Sequence, residues 1–227
     1  GDLFTILARS CNTSFARMAV EDIGPDRMIA GAESWGFNSV PPLDLPAPAA
    51  SNFPTDFTGN LPALAQSAIG QNDVAATPLQ MAMVAAGVAN DGVVMEPYVV
   101  QEIRDGEGDI LSETDPDVWQ QAVDGATALT MRQAMIGVVE RPDGTAGSLA
   151  IPGREVGGKT GTAQLGTDPP RSHAWIIGFA GPPGGQSEVA VAVIVEGEEG
   201  ASEQTGGTVA GPIARTMMEA VLSSPGG

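Results

Sequence analysis

The last third of the chain sets the tightest limit on its fold. Val156 to Gln164, Ala174 to Ala180 and Val189 to Val195 read as three short strands, with Gly181-Pro182-Pro183-Gly184-Gly185 between the second and third. Parallel neighbours would need a long crossover, so connections this short predict an antiparallel meander. A closing helix follows over roughly Val209 to Leu222, amphipathic through Ile213, Met217, Val221 and Leu222. Helices bracketing such a meander predict an α+β domain, with an antiparallel sheet packed between helices.

Upstream, the pattern is mainly helical. Leu3, Phe4, Ile6 and Leu7 form one apolar stripe, and Phe15, Met18 and Ala19 begin another. Between them, Arg9-Ser10-Cys11-Asn12-Thr13 is rich in residues that bond their own backbone, which places Ser10 and Asn12 at a helix junction. Pro41, Pro42, Pro46, Pro48 and Pro54 make Val40 to Thr58 an extended excursion. A loop that long in a compact domain is usually functional or mobile. Thr77-Pro78 caps a buried helix over Leu79 to Ala89, which stops at Asn90-Asp91-Gly92. Val93 to Ile103 and Ile110-Leu111 flank Asp105-Gly106-Glu107-Gly108 and predict a β-hairpin. Ala126 to Val139 predicts a helix with Leu129, Met135, Ile136 and Val139 on one side.

Composition removes several function classes. Lys and Arg number 10 against 28 Asp and Glu, for a formal net charge of −18. Without clustered basic residues, a nucleic-acid backbone or anionic membrane surface is an unfavourable partner. Cys11 and His173 are the only residues of their kinds, so thiolate and His-pair metal sites are excluded and no metal or cofactor is expected. No apolar run reaches the roughly 18 residues of a membrane span. Cys11 reads as a small buried filler, His173 as a strand-start residue near a cleft, and Met81, Met83, Met131 and Met135 as core. The acidic run Glu196 to Glu203 reads as a solvated loop without calcium-loop spacing.

Lys159 is the only lysine of the chain, and two chemistries compete for it. Gly153 to Thr160 matches G-x-x-x-x-G-K-[ST], the phosphate loop of nucleotide-binding proteins. That loop needs a helix directly after the lysine, and Gly161, Thr162 and Pro169-Pro170 oppose one. The alternative places Lys159-Thr160-Gly161-Thr162 on an edge strand lining a cleft. There an ammonium and two hydroxyls meet a substrate carboxylate, and glycine lets the substrate approach the backbone. A substrate strand adds to such an edge by main-chain hydrogen bonds. Alternation sets Lys159 and Gly161 on one face and Thr160 and Thr162 on the other, so a twist at the glycine would be needed for the three side chains to converge.

Ser10-Cys11-Asn12 together with Lys159-Thr160-Gly161-Thr162-Ala163-Gln164 resembles the S-x-N and K-T-G motifs of penicillin-binding proteins. Ala68-Ile69-Gly70-Gln71, then Ala76-Thr77-Pro78-Leu79-Gln80-Met81-Ala82, is similar to the phrase of class B transpeptidases, and His173-Ala174-Trp175 leading to Gly178-Phe179-Ala180 also fits. The resemblance runs from Leu3 to about Leu222. It implies a β-lactamase/transpeptidase-like fold and serine acyl transfer that cross-links D-Ala-D-Ala stem peptides of peptidoglycan, with β-lactams as ligands. A β-lactam sensor or serine β-lactamase of the same fold is the near alternative, and a P-loop nucleotide binder the alternative of another class.

By that resemblance, Ser10 relays a proton toward the departing amine, Lys159 supplies the positive field beside it, and Asn12 bonds the substrate's side-chain amide. Thr160 and Thr162 hold the terminal carboxylate beside Gly161, and the Thr162 N–H is one arm of an oxyanion hole. The family's nucleophile is a serine followed three residues later by lysine; here the residue three before Lys159 is Val156. The expectation is therefore that residues 1–222 form the C-terminal part of the domain, with 223–227 a flexible tail. The N-terminal half of the same protein would supply the nucleophile, the rest of the sheet and an anchor holding the enzyme outside the cytoplasmic membrane. The isolated chain is expected to be inactive.

Overall fold

The computed structural model describes residues 1–198 and 205–224. The first helix, α1 (Leu3–Ala8), begins where the Asp2 carboxylate accepts from the Thr5 N–H at 2.8 Å. A three-residue junction leads to α2 (Asn12–Met18), which runs through a π-helical turn (Ala19–Ile23) to Gly24. Pro25 then opens α3 (Pro25–Ser34), α4 covers Leu61–Ser67, and α5 (Pro78–Ala89) is capped by Thr77 with proline at its first position.

Four short strands follow in two separate ribbons: β1 (Val93–Met95) with β4 (Val118–Gln121), and β2 (Glu102–Arg104) with β3 (Ile110–Glu113). Helix α6 (Gly125–Glu140) leads through a 3-10 turn (Gly147–Leu149) to β5 (Glu155–Gln164), β6 (Ser172–Gly181) and β7 (Val189–Val195). These three form an antiparallel sheet in the order β5-β6-β7, as the short turns require. A π-helical turn (Gly206–Ala210) opens the closing helix α7 (Gly211–Ser223).

The sheet is packed on both faces. Phe179 meets Val88 of α5 and Met135 of α6 on one face, while Ile176, Val191 and Val193 meet Ala214 and Met218 of α7 on the other. Phe179 and Ile176 are fully buried, and truncating a core side chain of this size to alanine costs about 3–5 kcal/mol. The β5 strand passes so near its neighbours that a Cβ on Gly157 would enter the Phe179 ring, and one on Gly158 would meet Leu149. A second, smaller core joins Phe53, Phe57 and Leu64 with Val20, Met28 and Ile29. It pins the proline-rich excursion, which has no helix of its own. Within that excursion Asn52 forms a bridge with Ala75, reinforced by the Asn52 amide donating to the Asp73 carbonyl at 2.7 Å.

Several sequence expectations are corrected. Val93 to Ile103 is not one arm of a hairpin: Glu96-Pro97 breaks it, so β1 pairs with β4, whereas the Asp105 to Gly108 turn closes only β2 and β3. Of the expected stripe of α7 only Leu222 packs against the core, beside Ala214 and Met218, while Ile213, Met217 and Val221 are exposed, because the small Gly211 and Ala214 permit the closer approach to the sheet. In α6, Leu129 and Met131 are exposed and Ala128, Ala134, Met135, Val138 and Val139 are buried; in α5, Met83 is buried and Met81 half-buried. Ser223 belongs to α7, and residues 225–227, with most of the acidic run 196–203, lie outside the described residues. The P-loop alternative falls because Lys159 stands inside a ten-residue strand.

Candidate active site

The α1–α2 junction sets one wall. Ser10 adopts φ 53°, a left-handed conformation that L residues rarely take. The Cys11 N–H reaches back to the Ile6 carbonyl at 2.9 Å, which fixes that bend. Ser10 therefore caps no helix. Its Oγ accepts a hydrogen bond from Lys159 Nζ at 2.7 Å, joining residues 149 positions apart. The same ammonium donates to the Thr160 carbonyl at 2.7 Å. No carboxylate pairs with it among the described residues, and burial alone pulls its pKa from 10.5 down to about 8. Near neutral pH the lysine is charged, yet it releases a proton more readily than a solvated lysine does.

Alternation along β5 leaves Thr160 and Thr162 on one face. Thr160 Oγ1 lies 2.8 Å from Thr145 Oγ1, whereas Thr162 is exposed. Gly161 is tightly placed, since a Cβ there would lie 3.1 Å from the Trp175 Cβ. Asn12 opens α2 at the surface, and its side chain makes no hydrogen bond among the described residues.

Cys11, between Ser10 and Asn12, is half-buried rather than a buried filler. Its Sγ accepts from Ser14 Oγ at 3.2 Å, and that bond, with a second contact to Thr13, lowers the thiol to about 7. His173 faces Ala163 across the ladder, and its Nδ1 accepts from the Gly197 N–H at 3.0 Å, which puts the proton of the neutral ring on Nε2.

Two further features, a clamp and a capping amide, shape the site. The loop after α6 clamps the junction: Asp143 accepts from Arg9 at 2.8 Å and from Arg141 at 3.0 Å, and the Thr145 N–H donates to the Ala8 carbonyl at 3.2 Å. The Arg141 bond, then that of Arg9, holds the Asp143 carboxyl down at about 2. Gln71 Nε2 donates to the Thr162 carbonyl at 3.0 Å. The Arg-Asp-Arg grouping is visible only after folding, but Gln71 stood in the sequence beside Gly70, a hint of a shaped turn.

Chemically, the arrangement offers a hydroxyl held by a desolvated ammonium, an exposed amide, and a strand edge whose Thr160 and Thr162 carbonyls point away from β6. Among the described residues no cluster of His, Cys, Asp or Glu could hold a metal ion, and no helix is long and apolar enough to cross a membrane.

The sequence pattern of the penicillin binding protein transpeptidase domain matches residues 1–219. The chain belongs to that family. Peptidoglycan D,D-transpeptidase PbpA of Mycolicibacterium smegmatis is 39% identical over 217 residues, which are 95% of this chain and 43% of that protein. PbpA of Mycobacterium tuberculosis is 38% identical over 94% of this chain and 42% of its own. The chain thus spans less than half the length of these curated relatives.

Among solved structures, the ceftriaxone acyl-enzyme complex of M. tuberculosis penicillin-binding protein A superposes with a TM-score of 0.84 at 36% identity, covering 97% of this chain and 48% of that one. The D,D-transpeptidase domain from Eggerthella lenta gives 0.83 at 33% identity, over 97% and 54%. The α+β transpeptidase fold expected from the sequence is therefore the fold observed.

Proposed function

We propose that this penicillin-binding family member is the C-terminal part of a peptidoglycan D,D-transpeptidase that works in the cell envelope. The observation that carries the reading is the Lys159 Nζ to Ser10 Oγ hydrogen bond at 2.7 Å, which brings two distant motifs to one edge of β5. Ser10 is the proton relay and Lys159 its positive neighbour. Asn12 reaches the substrate amide, and Thr160 and Thr162, on either side of Gly161, take the terminal carboxylate. The Thr162 N–H, which shares the outward side with its carbonyl, is one arm of the oxyanion hole.

The acylated nucleophile is the remaining part. These residues contain no serine three positions before a lysine, so we assign the nucleophile, the second oxyanion arm and the membrane anchor to polypeptide N-terminal to Gly1. The M. tuberculosis relative forms acyl-enzyme complexes with ceftriaxone, imipenem and penicillin G, which supports β-lactams as mimics of the D-Ala-D-Ala substrate here.

Incubation with fluorescent penicillin, followed by intact-mass measurement, tests the reading. The 227-residue chain remains unmodified, and protein extended through a Ser-x-x-Lys motif gains one stable adduct, which Ser10→Ala forms more slowly. An adduct on the short chain would sink the assignment of the nucleophile. Rapid turnover of penicillin by the extended protein would identify a β-lactamase instead.

A further inference from the structure

A strand directs the N–H and C=O of each residue to the same side. The Thr160 carbonyl accepts from Lys159, and the Thr162 carbonyl accepts from Gln71 Nε2 at 3.0 Å, across 91 residues of sequence. Both acceptors therefore lie on the β5 edge opposite β6, where an extended ligand would add as another strand. One of them already holds an amide donor. Gln71 is the surrogate for a ligand's N–H.

The backbone is shaped to present it. Gly70 and Asn72, on either side of Gln71, have φ of 74° and 58°. The Gln71 N–H is tied to the Gln66 carbonyl at 3.0 Å, and the Asn72 amide donates to Ser67 Oγ at 3.4 Å. Downstream, the Asn52–Ala75 bridge holds the far end of the turn to the proline-rich excursion. An unpaired strand edge invites wrong partners, and one side-chain amide capping it removes an acceptor from the open row.

We propose that Gln71 is a positioning residue that selects ligands at the β5 edge. It occupies the Thr162 carbonyl until an incoming amide N–H replaces it. A ligand that carries such an N–H must displace Gln71, whereas one without it leaves Gln71 in place. This inference rests on the transpeptidase reading above.

The test compares second-order acylation rates in protein extended through the nucleophile motif, with two β-lactams. Penicillin G carries a side-chain amide N–H; imipenem has a hydroxyethyl group there and no such amide. Gln71→Met keeps the side-chain length and loses the donor, and Gln71→Glu does the same with a carboxylate. Since one hydrogen bond contributes about a factor of five, Gln71→Met accelerates penicillin G about fivefold and leaves imipenem within about twofold. Gln71→Glu shifts the ratio in the same direction. An equal change with both ligands, or slower reaction with penicillin G, overturns the role of Gln71 alone. Failure of the unsubstituted extended protein to react with either β-lactam overturns the transpeptidase reading and this inference with it.

Discussion

At the scale of single residues, the fold changes the chemistry of Lys159 by burying it. Burial lowers its pKa to about 8, and in the unfolded chain it would keep its proton to about 10.5. Between these values the folded state binds fewer protons than the unfolded one. From this group alone, stability therefore rises with pH across that window, and the penalty of burying the ammonium is fully present below it. Acylation should move the opposite way, falling as pH rises through about 8 and the positive field beside Ser10 is lost. A stopped-flow pH profile of fluorescent penicillin labelling, on protein extended through the Ser-x-x-Lys motif, checks this; a rate flat from pH 7 to about 10 would remove Lys159 from the proton relay. Cys11 gives a second prediction. With its thiol lowered to about 7 by Ser14 and Thr13, iodoacetamide at neutral pH adds one carbamidomethyl group by mass, and Ser14→Ala slows that reaction severalfold.

At the scale of elements, local chemistry decided how much could be read from the sequence. Thr77-Pro78 announced the start of α5 because cap and first-turn proline act within four residues: Thr77 Oγ1 accepts from the Gln80 N–H at 3.1 Å. Thr77→Ala should cost about 1 kcal/mol, or about 2–4 °C in melting temperature for a chain of this size. An unchanged thermal transition would show that the neighbouring Thr77 N–H to Ser51 Oγ bond carries the corner by itself.

The three-stranded meander was legible for the same local reason, since its turns are short. The β1–β4 pairing was not, because Val93 and Gln121 meet across an intervening hairpin. Helix α7 misled by its composition. Ile213, Met217 and Val221 spell an apolar stripe, yet the face with Gly211, Ala214 and Met218 reaches the sheet. Within the candidate site, Ser10 and Lys159 could be paired from their motifs, whereas Thr145, Asp143 and Gln71 act through contacts created by tertiary folding.

At the scale of the whole molecule, the candidate site joins segments that are anchored in different cores. The larger joins the sheet to α6 and α7; a smaller one consists of Phe53, Phe57 and Leu64 with residues of α3 and the turn before it. Phe53 and Phe57 stack edge to face with centroids 6.1 Å apart, so each ring depends on the other for its packing. Gln71 hangs from the smaller core and Lys159 from the larger, and the smaller has far fewer buried side chains to resist opening. The two should therefore unfold as separate cooperative units. Phe57→Ala should raise amide exchange across 60–76, including the turn that carries Gln71, while 172–181 in the central strand β6 stays protected. Hydrogen-deuterium exchange read by mass spectrometry resolves the two segments. If both lose protection together, the cores form one unit, and the Gln71 turn cannot open while the Lys159 strand holds.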